Sequence, residues 1–398
     1  MHGSWAQRWS RRGRYAVELN SPSRTLVPGI ISFVYGDPDA PSLPLNDLTD
    51  AAGHLAEHNR LDALAYQSAL RGDGLNQSLA GKLARDQGID AEPEQILITN
   101  GASAGLSLLC DVLLDPGDVV LADAPAWMGA TQMFQLSGAE CIGIPLDRDG
   151  IDPAYVETAL DDLAREGRTP KFLYTIPTFQ NPSGVELSRE RRAALARIAD
   201  ERDLLIVEDD AYNDLRFSGE QQPTIYSLAQ SENVLFFGTL AKTIAAGLRL
   251  GYVVGPSEVL VAMSRGRVDN LRNSYVAALA DWYLQTGKLT DHIHELREIY
   301  RGKCDRMLKA LEREMPEGVE WTHPNGGFFI WVTLPERVDA IELLPPSRAA
   351  GVDYIPGTAF FTDGRGRRNL RLSYSAVTPE EIDQGIARLA NVIRAAQV

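Results

Sequence analysis

Cysteine is scarce in this chain. Of 398 residues only Cys110, Cys141 and Cys304 are cysteines, an odd number too widely spaced for a disulfide framework or a zinc site. A reducing compartment, the cytoplasm, is the expected location. Positive charge is also short: 39 Lys and Arg against 54 Asp and Glu leave a formal charge of −15. That field repels phosphate backbones and anionic lipid surfaces, so no nucleic acid and no membrane is expected as a partner. No apolar run approaches the roughly 20 residues that a bilayer-spanning helix needs. The basic opening, "MHGSWAQRWSRRGRY", is not followed by an apolar stretch of signal-peptide length and reads as a short surface helix in preference to a transit peptide. Periodicity is missing too, since the 34 Gly and 22 Pro are scattered; collagen-like and low-complexity readings fall away.

What is present is the balance of a folded protein, 44% apolar and 23% charged, at a length suited to two domains or one large α/β domain with an appendage. Between residues 46 and 255, amphipathic stretches alternate with short β-branched runs: "ILIT" (96–99), "VVLA" (119–122), "ECIGI" (140–144), "FLYT" (172–175), "LLIVE" (204–208), "VLFF" (234–237) and "YVV" (252–254). The alternation predicts a mostly parallel sheet with helices on both faces and a ligand beyond the carboxyl ends of its strands. After "YVVGP" long helical segments run to about residue 313. The tail offers "GGFFIWVTL", "LRLSYS" and a closing helix whose Thr378 and Glu381 form a capping box, which together read as a smaller α+β unit.

Four segments carry chemistry. In "FFGTLAKTIAAGLRLGYVVG" Lys242 sits among apolar and small residues, where desolvation favours the neutral, nucleophilic amine; alone it reads more readily as a snorkelling loop lysine. Thr239 precedes it, and Arg249, a fixed cation suited to phosphate, follows. In "IVEDDAYNDL" an apolar strand ends in Glu208, Asp209 and Asp210. A carboxylate there holds a pyridine nitrogen protonated, or the cluster binds a divalent cation or lies in a solvated turn; the residues alone do not choose. "YTIPTFQNPSG", with Asn181, has the composition of a turn. "ITNGASAGLSLLCDVLL" runs strand, small-residue turn, helix, so the backbone N–H groups of Ala102 and Ser103 make an anion site, although an ordinary strand-to-helix turn has the same form.

Taken in order, these four segments resemble the fold-type I pyridoxal 5′-phosphate enzymes, and among them the class I/II aminotransferases of the 2-aminoadipate and kynurenine type. The likeness extends from "IISFVYGDPD" through "PNGGFFIWVTLPE", "GVDYIPGTAFF" and "NLRLSYS". It implies an aspartate aminotransferase-like fold: an N-terminal segment (1–45) contributing to the small domain and substrate site, a large cofactor domain (46–275) and a C-terminal small domain (276–398). The resemblance implies that Lys242 links covalently to the cofactor and, once released by substrate, moves the proton at Cα. It implies that Asp209 pairs with the pyridine nitrogen, that Asn181 and Tyr212 bond the phenolic oxygen, and that Trp127 of "DAPAWMGA" stacks on the ring. Ala102, Ser103, Thr239 and Arg249 are implied to hold the phosphate. Arg371 is implied to take the substrate carboxylate, and Gly36 to let the N-terminal segment pass close by. Tyr66, in "LAYQ", matches a tyrosine that reaches the neighbouring subunit's cofactor, which implies a homodimer with shared sites.

Some positions depart from the family pattern. Ala241 stands where a serine is usual, Ala246 replaces a proline, Gln67 a glycine, and Tyr35 a small residue. The expected reaction is transfer of an amino group from an α-amino acid to a 2-oxo acid by a ping-pong mechanism. Elimination, cyclisation or oxidation by the same fold is the alternative. A regulator with an aminotransferase-like domain is not expected, since about 30 residues precede "ISFVYGDPD". Arg24 reads as an exposed arginine or as a reader of an acidic substrate side chain.

Overall fold

The computed structural model describes residues 7–18, 27–70, 72–267 and 272–397; Arg24 lies outside them. Strand β1 (Ile31–Ser32) opens the core. Next come β2 (Ile96–Thr99), β3 (Val119–Ala124), β4 (Glu140–Asp147), β5 (Gly150–Ile151), β6 (Pro170–Thr175), β7 (Ile206–Asp209), β8 (Val234–Thr239) and β9 (Gly251–Val254), which form one sheet in the order β2-β9-β8-β7-β6-β3-β4-β5. The β8-β7-β6-β3-β4 pairs are parallel, and β9 is inserted antiparallel between β2 and β8. All seven runs picked from the sequence are strands, although the run at 204 becomes a strand only at Ile206.

Those runs are mostly apolar, and β2, β3, β7 and β9 are buried at every position, because both faces are covered. Val120 and Ala122 of β3 enter one core with Val207 and Phe237, while Val119 and Leu121 enter another with Leu173 and Ile206. The expected mostly parallel sheet between helical layers is therefore present.

A second sheet is antiparallel throughout. It is built from β10 (Glu320–Trp321), β11 (Phe329–Thr333), β13 (Ile355–Pro356) and β14 (Asn369–Ser373), and the short β12 (Val352–Asp353) pairs in parallel with β1. The closing helix, Pro379–Ala396, starts at the expected Thr378/Glu381 capping box and packs with helix Lys288–Glu314. Past β1, Phe33 donates its N–H to Asp353 (2.9 Å) and accepts from Ser373 N–H (2.9 Å). Residues 33–37 are thereby drawn along the small sheet toward the carboxyl edge of the large one. The basic N-terminal stretch includes a helix, Arg11–Glu18, with no buried residue, as expected of a surface helix.

Candidate active site

The residues that follow β2, β3, β6, β7 and β8, and those just before β9, lie at one edge of the large sheet, and a cavity of about 300 Å³ opens there. Its lining includes Gly36, Ala102, Ser103, Trp127, Asn181, Asp209, Tyr212, Thr239, Lys242, Arg249 and Arg371. Every site residue read from the sequence is brought together except Tyr66, which is 91% exposed.

Strand alternation sorts the three acids at the end of β7. Asp209 shares a face with Val207, and its Oδ2 accepts the Tyr174 hydroxyl at 2.6 Å. Glu208 points to the opposite face, where it accepts the N–H groups of Ile225 and Tyr226 at 2.8 Å each. Asp210 accepts from Asn213 Nδ2 at 2.6 Å. The three carboxylates do not converge, and only Asp209 lines the cavity. Burial pushes Asp209 up to about 6, against the opposing hydrogen bond from Tyr174 and the charge of Lys242. Its Oδ1 is buried without a hydrogen-bond partner among the described residues.

Lys242 Nζ donates to the Gly36 carbonyl at 2.8 Å and lies 5.8 Å from the centre of the Tyr212 ring. Gly36 has to be glycine: a Cβ there would come within 2.5 Å of the Phe329 ring. Opposite, Arg371 is buried in mid-β14. Its Nη1 donates to Asn181 Oδ1 at 2.8 Å, its Nη2 donates to the Val34 carbonyl, and its guanidinium lies 4.1 Å from the centre of the Phe329 ring. Desolvation lowers it to about 10, which leaves it charged at neutral pH. Burial raises the Tyr212 hydroxyl, with Arg371 opposing.

Helix Ala102–Leu113 starts at the cavity with no side-chain cap on its first N–H groups, because its N-cap is Gly101 at φ +88°. A Cβ on Gly101 would meet Arg249 Nη2 at 2.8 Å, so the glycine lets the guanidinium lie against the helix start. Thr239 is present too, but its hydroxyl donates to the Leu250 carbonyl at 3.2 Å and accepts from Ala241 N–H at 3.1 Å. Trp127 immediately precedes helix Met128–Ser137.

Among the sequence departures, Tyr35 and Ala241 line the cavity. Gln67 is buried: its Oε1 accepts Arg272 Nη2 at 2.7 Å and its Nε2 donates to the Asp62 carbonyl at 2.8 Å. A larger groove, about 890 Å³, lies beside hairpin residues 147–149 and Trp321. Two of its carboxylates are paired, Asp147 with Arg191 and Glu186 with Arg216.

The model of aminotransferase class I and II matches residues 32–389. The chain belongs to that family. Its relatives include the aromatic-amino-acid aminotransferase 1 of Thermococcus litoralis, 35% identical over 92% of this chain and 88% of that protein. The multiple substrate aminotransferase of Thermococcus profundus is 34% identical, with a TM-score of 0.93 over 99% of each chain. The Pyrococcus horikoshii kynurenine aminotransferase, solved with PMP, KYN and KYA, is 35% identical, with a TM-score of 0.92 over 99% of this chain and 98% of that one.

The chain is thus a pyridoxal phosphate-dependent aminotransferase, and its own atoms fit that cofactor. The unpartnered Asp209 Oδ1 suits a protonated ring nitrogen, and the uncapped helix start beside Arg249 suits a phosphate. Sequence reading missed Tyr174. Its signal was a hydroxyl inside an apolar strand run, and it acquires meaning only when β6 is known to neighbour β7 in a register that pairs Tyr174 with Val207.

Proposed function

We propose that this aminotransferase takes the amino group from α-amino acids with aromatic or large apolar side chains and passes it to a 2-oxo acid by a ping-pong mechanism. The reading rests on one observation: Lys242, Asp209, Tyr212, Asn181, Arg249 and Arg371 share one cavity whose remaining wall includes Val34, Tyr35, Met128 and Ile355. The cations in the described lining have other work. Arg249 and the N–H groups of Ala102 and Ser103 take the cofactor phosphate, with Thr239 bracing the loop, and Arg371 takes the substrate carboxylate. An acidic donor side chain would meet the apolar wall unpaired.

Pyridoxal phosphate, when bound, supplies an aldehyde that accepts the amino group and a ring that takes up electrons from Cα. Asp209 keeps the ring nitrogen protonated, Asn181 and Tyr212 donate to the phenolic oxygen, and Trp127 covers the ring face. Arg371, aligned by Asn181, fixes the carboxylate, and Lys242 Nζ takes the proton from Cα. Gly36 holds the N-terminal segment close to both.

The working unit is a homodimer with shared sites. Tyr66 is exposed close in sequence to Leu61 and Leu64, which are 65% and 75% exposed and suit a subunit contact. The division into an N-terminal segment (1–45), a large domain (46–275) and a small domain (276–398) is supported by the pairing of β1 with β12 and by the two separate sheets. Three free thiols fit the cytoplasm, and no described helix is long and apolar enough to cross a membrane.

The test has two arms. Borohydride reduction of the loaded protein followed by peptide mapping should label Lys242; a label on another lysine overturns the site. Single donors, with products identified by mass, should give the matching oxo acid from phenylalanine, tryptophan and leucine in preference to 2-aminoadipate and glutamate. The reverse preference overturns the donor class.

A further inference from the structure

Asp209 is held by one side chain. The Tyr174 hydroxyl donates to Oδ2 at 2.6 Å while Oδ1 has no partner, and both residues are buried, Tyr174 at 1% exposure and Asp209 at 6%. A carboxylate with a single anchor turns about its Cβ–Cγ bond unless that anchor fixes it. Tyr174 is itself fixed, on β6 beside β7, with its ring edge-on to Phe134 at 5.6 Å between centroids. We propose that Tyr174 is a positioning residue for the cofactor: its hydroxyl holds Asp209 with one oxygen presented to the ring nitrogen and favours the ionised carboxylate that this contact requires. The inference rests on the role given to Asp209 above.

Two consequences separate this from mere packing. First, a hydrogen bond from a neutral donor to a buried carboxylate is worth about ten- to a hundredfold in an equilibrium that depends on that charge. Second, the same bond opposes the burial that raises Asp209, so losing it moves Asp209 further up. The other groups acting on Asp209 are Asp210, which also raises it, and Lys242, which lowers it; Asp123 and Tyr212 feel its charge in turn. All of these stay in place when only the Tyr174 hydroxyl is removed.

The experiment measures the affinity of the apoprotein for pyridoxal phosphate between pH 5 and 8.5 by equilibrium dialysis, which needs no turnover. Tyr174→Phe should bind about tenfold or more weakly at pH 7, and the pH at which affinity falls on the acid side should rise by about one unit. Phe134→Leu disturbs the packing of the Tyr174 ring but spares its hydroxyl; it should lower the melting temperature and leave the acid limb in place. Site-specific 3-fluorotyrosine at position 174, whose phenol is a stronger donor, should move the acid limb the other way, and it tests the inference if the Phe variant fails to fold. Asp209→Asn should weaken affinity more than Tyr174→Phe. If Asp209→Asn binds normally, the role of Asp209 itself is wrong. If Asp209→Asn binds weakly but neither change at position 174 moves the acid limb, the inference about Tyr174 alone is overturned.

Discussion

The floor and the rim of the cavity are built differently. Floor groups sit on or just beyond the ends of paired strands of the large sheet: Asp209 closes β7, Thr239 closes β8, and Ala102 and Ser103 follow β2. Rim groups arrive from elsewhere. Val34 to Asp37 follow β1, Ile355 belongs to β13 and Arg371 to β14, and they meet the floor only because the small sheet packs against it. Sheet hydrogen bonding fixes the floor locally, whereas the rim depends on contacts across more than a hundred residues of sequence, such as Arg371 to Asn181. On the proposed roles, the floor therefore carries the cofactor chemistry, whereas the rim holds the donor, Arg371 by the carboxylate that all donors share and Val34, Tyr35 and Ile355 by the side chain that distinguishes them.

The largest effect expected from this contrast is at Lys242. On the proposed roles, Lys242→Ala loses both the covalent link and the proton carrier at Cα, and should lower turnover by at least about 10⁴-fold with every donor alike. Met128→Ala, at a residue that follows β3 but packs with Val34 and Ile355 of the rim, should instead leave turnover of small donors nearly unchanged and alter the ratio of kcat/KM between phenylalanine and alanine by about tenfold. Steady-state kinetics on both variants with the same donor set checks this. Donor-dependent loss in Lys242→Ala, or uniform loss in Met128→Ala, would break the division.

The same contrast explains what was legible in the sequence. Floor residues stood out because β7 and β8 follow apolar runs, so a polar residue at the end, such as Asp209 or Thr239, marks the sheet edge by itself. The strands were found for the same reason. Arg371 and Gly36 carried no such local mark. Nothing near "LRLSYS" says that an arginine on a buried antiparallel strand reaches Asn181, and only the family resemblance pointed to it. Tyr174 escaped because its meaning lies in strand order, and the buried bond of Gln67, noticed only as a departure, because its partner Arg272 is 205 residues away. Sequence spacing encodes faces of strands and helices; it does not encode which distant segment covers them.

A smaller effect concerns the borrowed rim. Gln67 ties the Tyr66 segment to Arg272, so Tyr66 is directed outward by a buried hydrogen bond rather than left loose. If Tyr66 completes the neighbouring subunit's site, inactive Tyr66→Phe mixed with inactive Lys242→Ala should regain activity through hybrid dimers. Random exchange makes half of the dimers hybrid, each with one intact site, so recovery should approach about a quarter of the parental activity. No recovery after exchange verified by mass would place the whole site within one chain.

The smallest expected effect is on stability. Burial raises Asp123 and Glu208 to about 7 and Asp209 to about 6. These carboxyls keep protons in the folded state that the unfolded chain releases near pH 4. Their contribution is therefore full below pH 4 and is lost as pH rises toward 7, so the apoprotein should melt a few degrees higher at pH 5.5 than at pH 7.5. The net charge of −15 acts in the same direction, because acidification relieves self-repulsion. A substitution separates the two causes. Asp123 Oδ2 accepts the Ile176 N–H at 3.0 Å, and an amide oxygen can do the same in Asp123→Asn, which removes the titration but barely changes the net charge. If burial of specific carboxyls is the cause, this variant flattens the pH dependence of melting; if net charge is the cause, the dependence stays as steep as in the parent. Pyridoxal phosphate provides a second check at the floor: a protonated ring nitrogen favours ionised Asp209, so melting of the loaded protein should depend less on pH than that of the apoprotein.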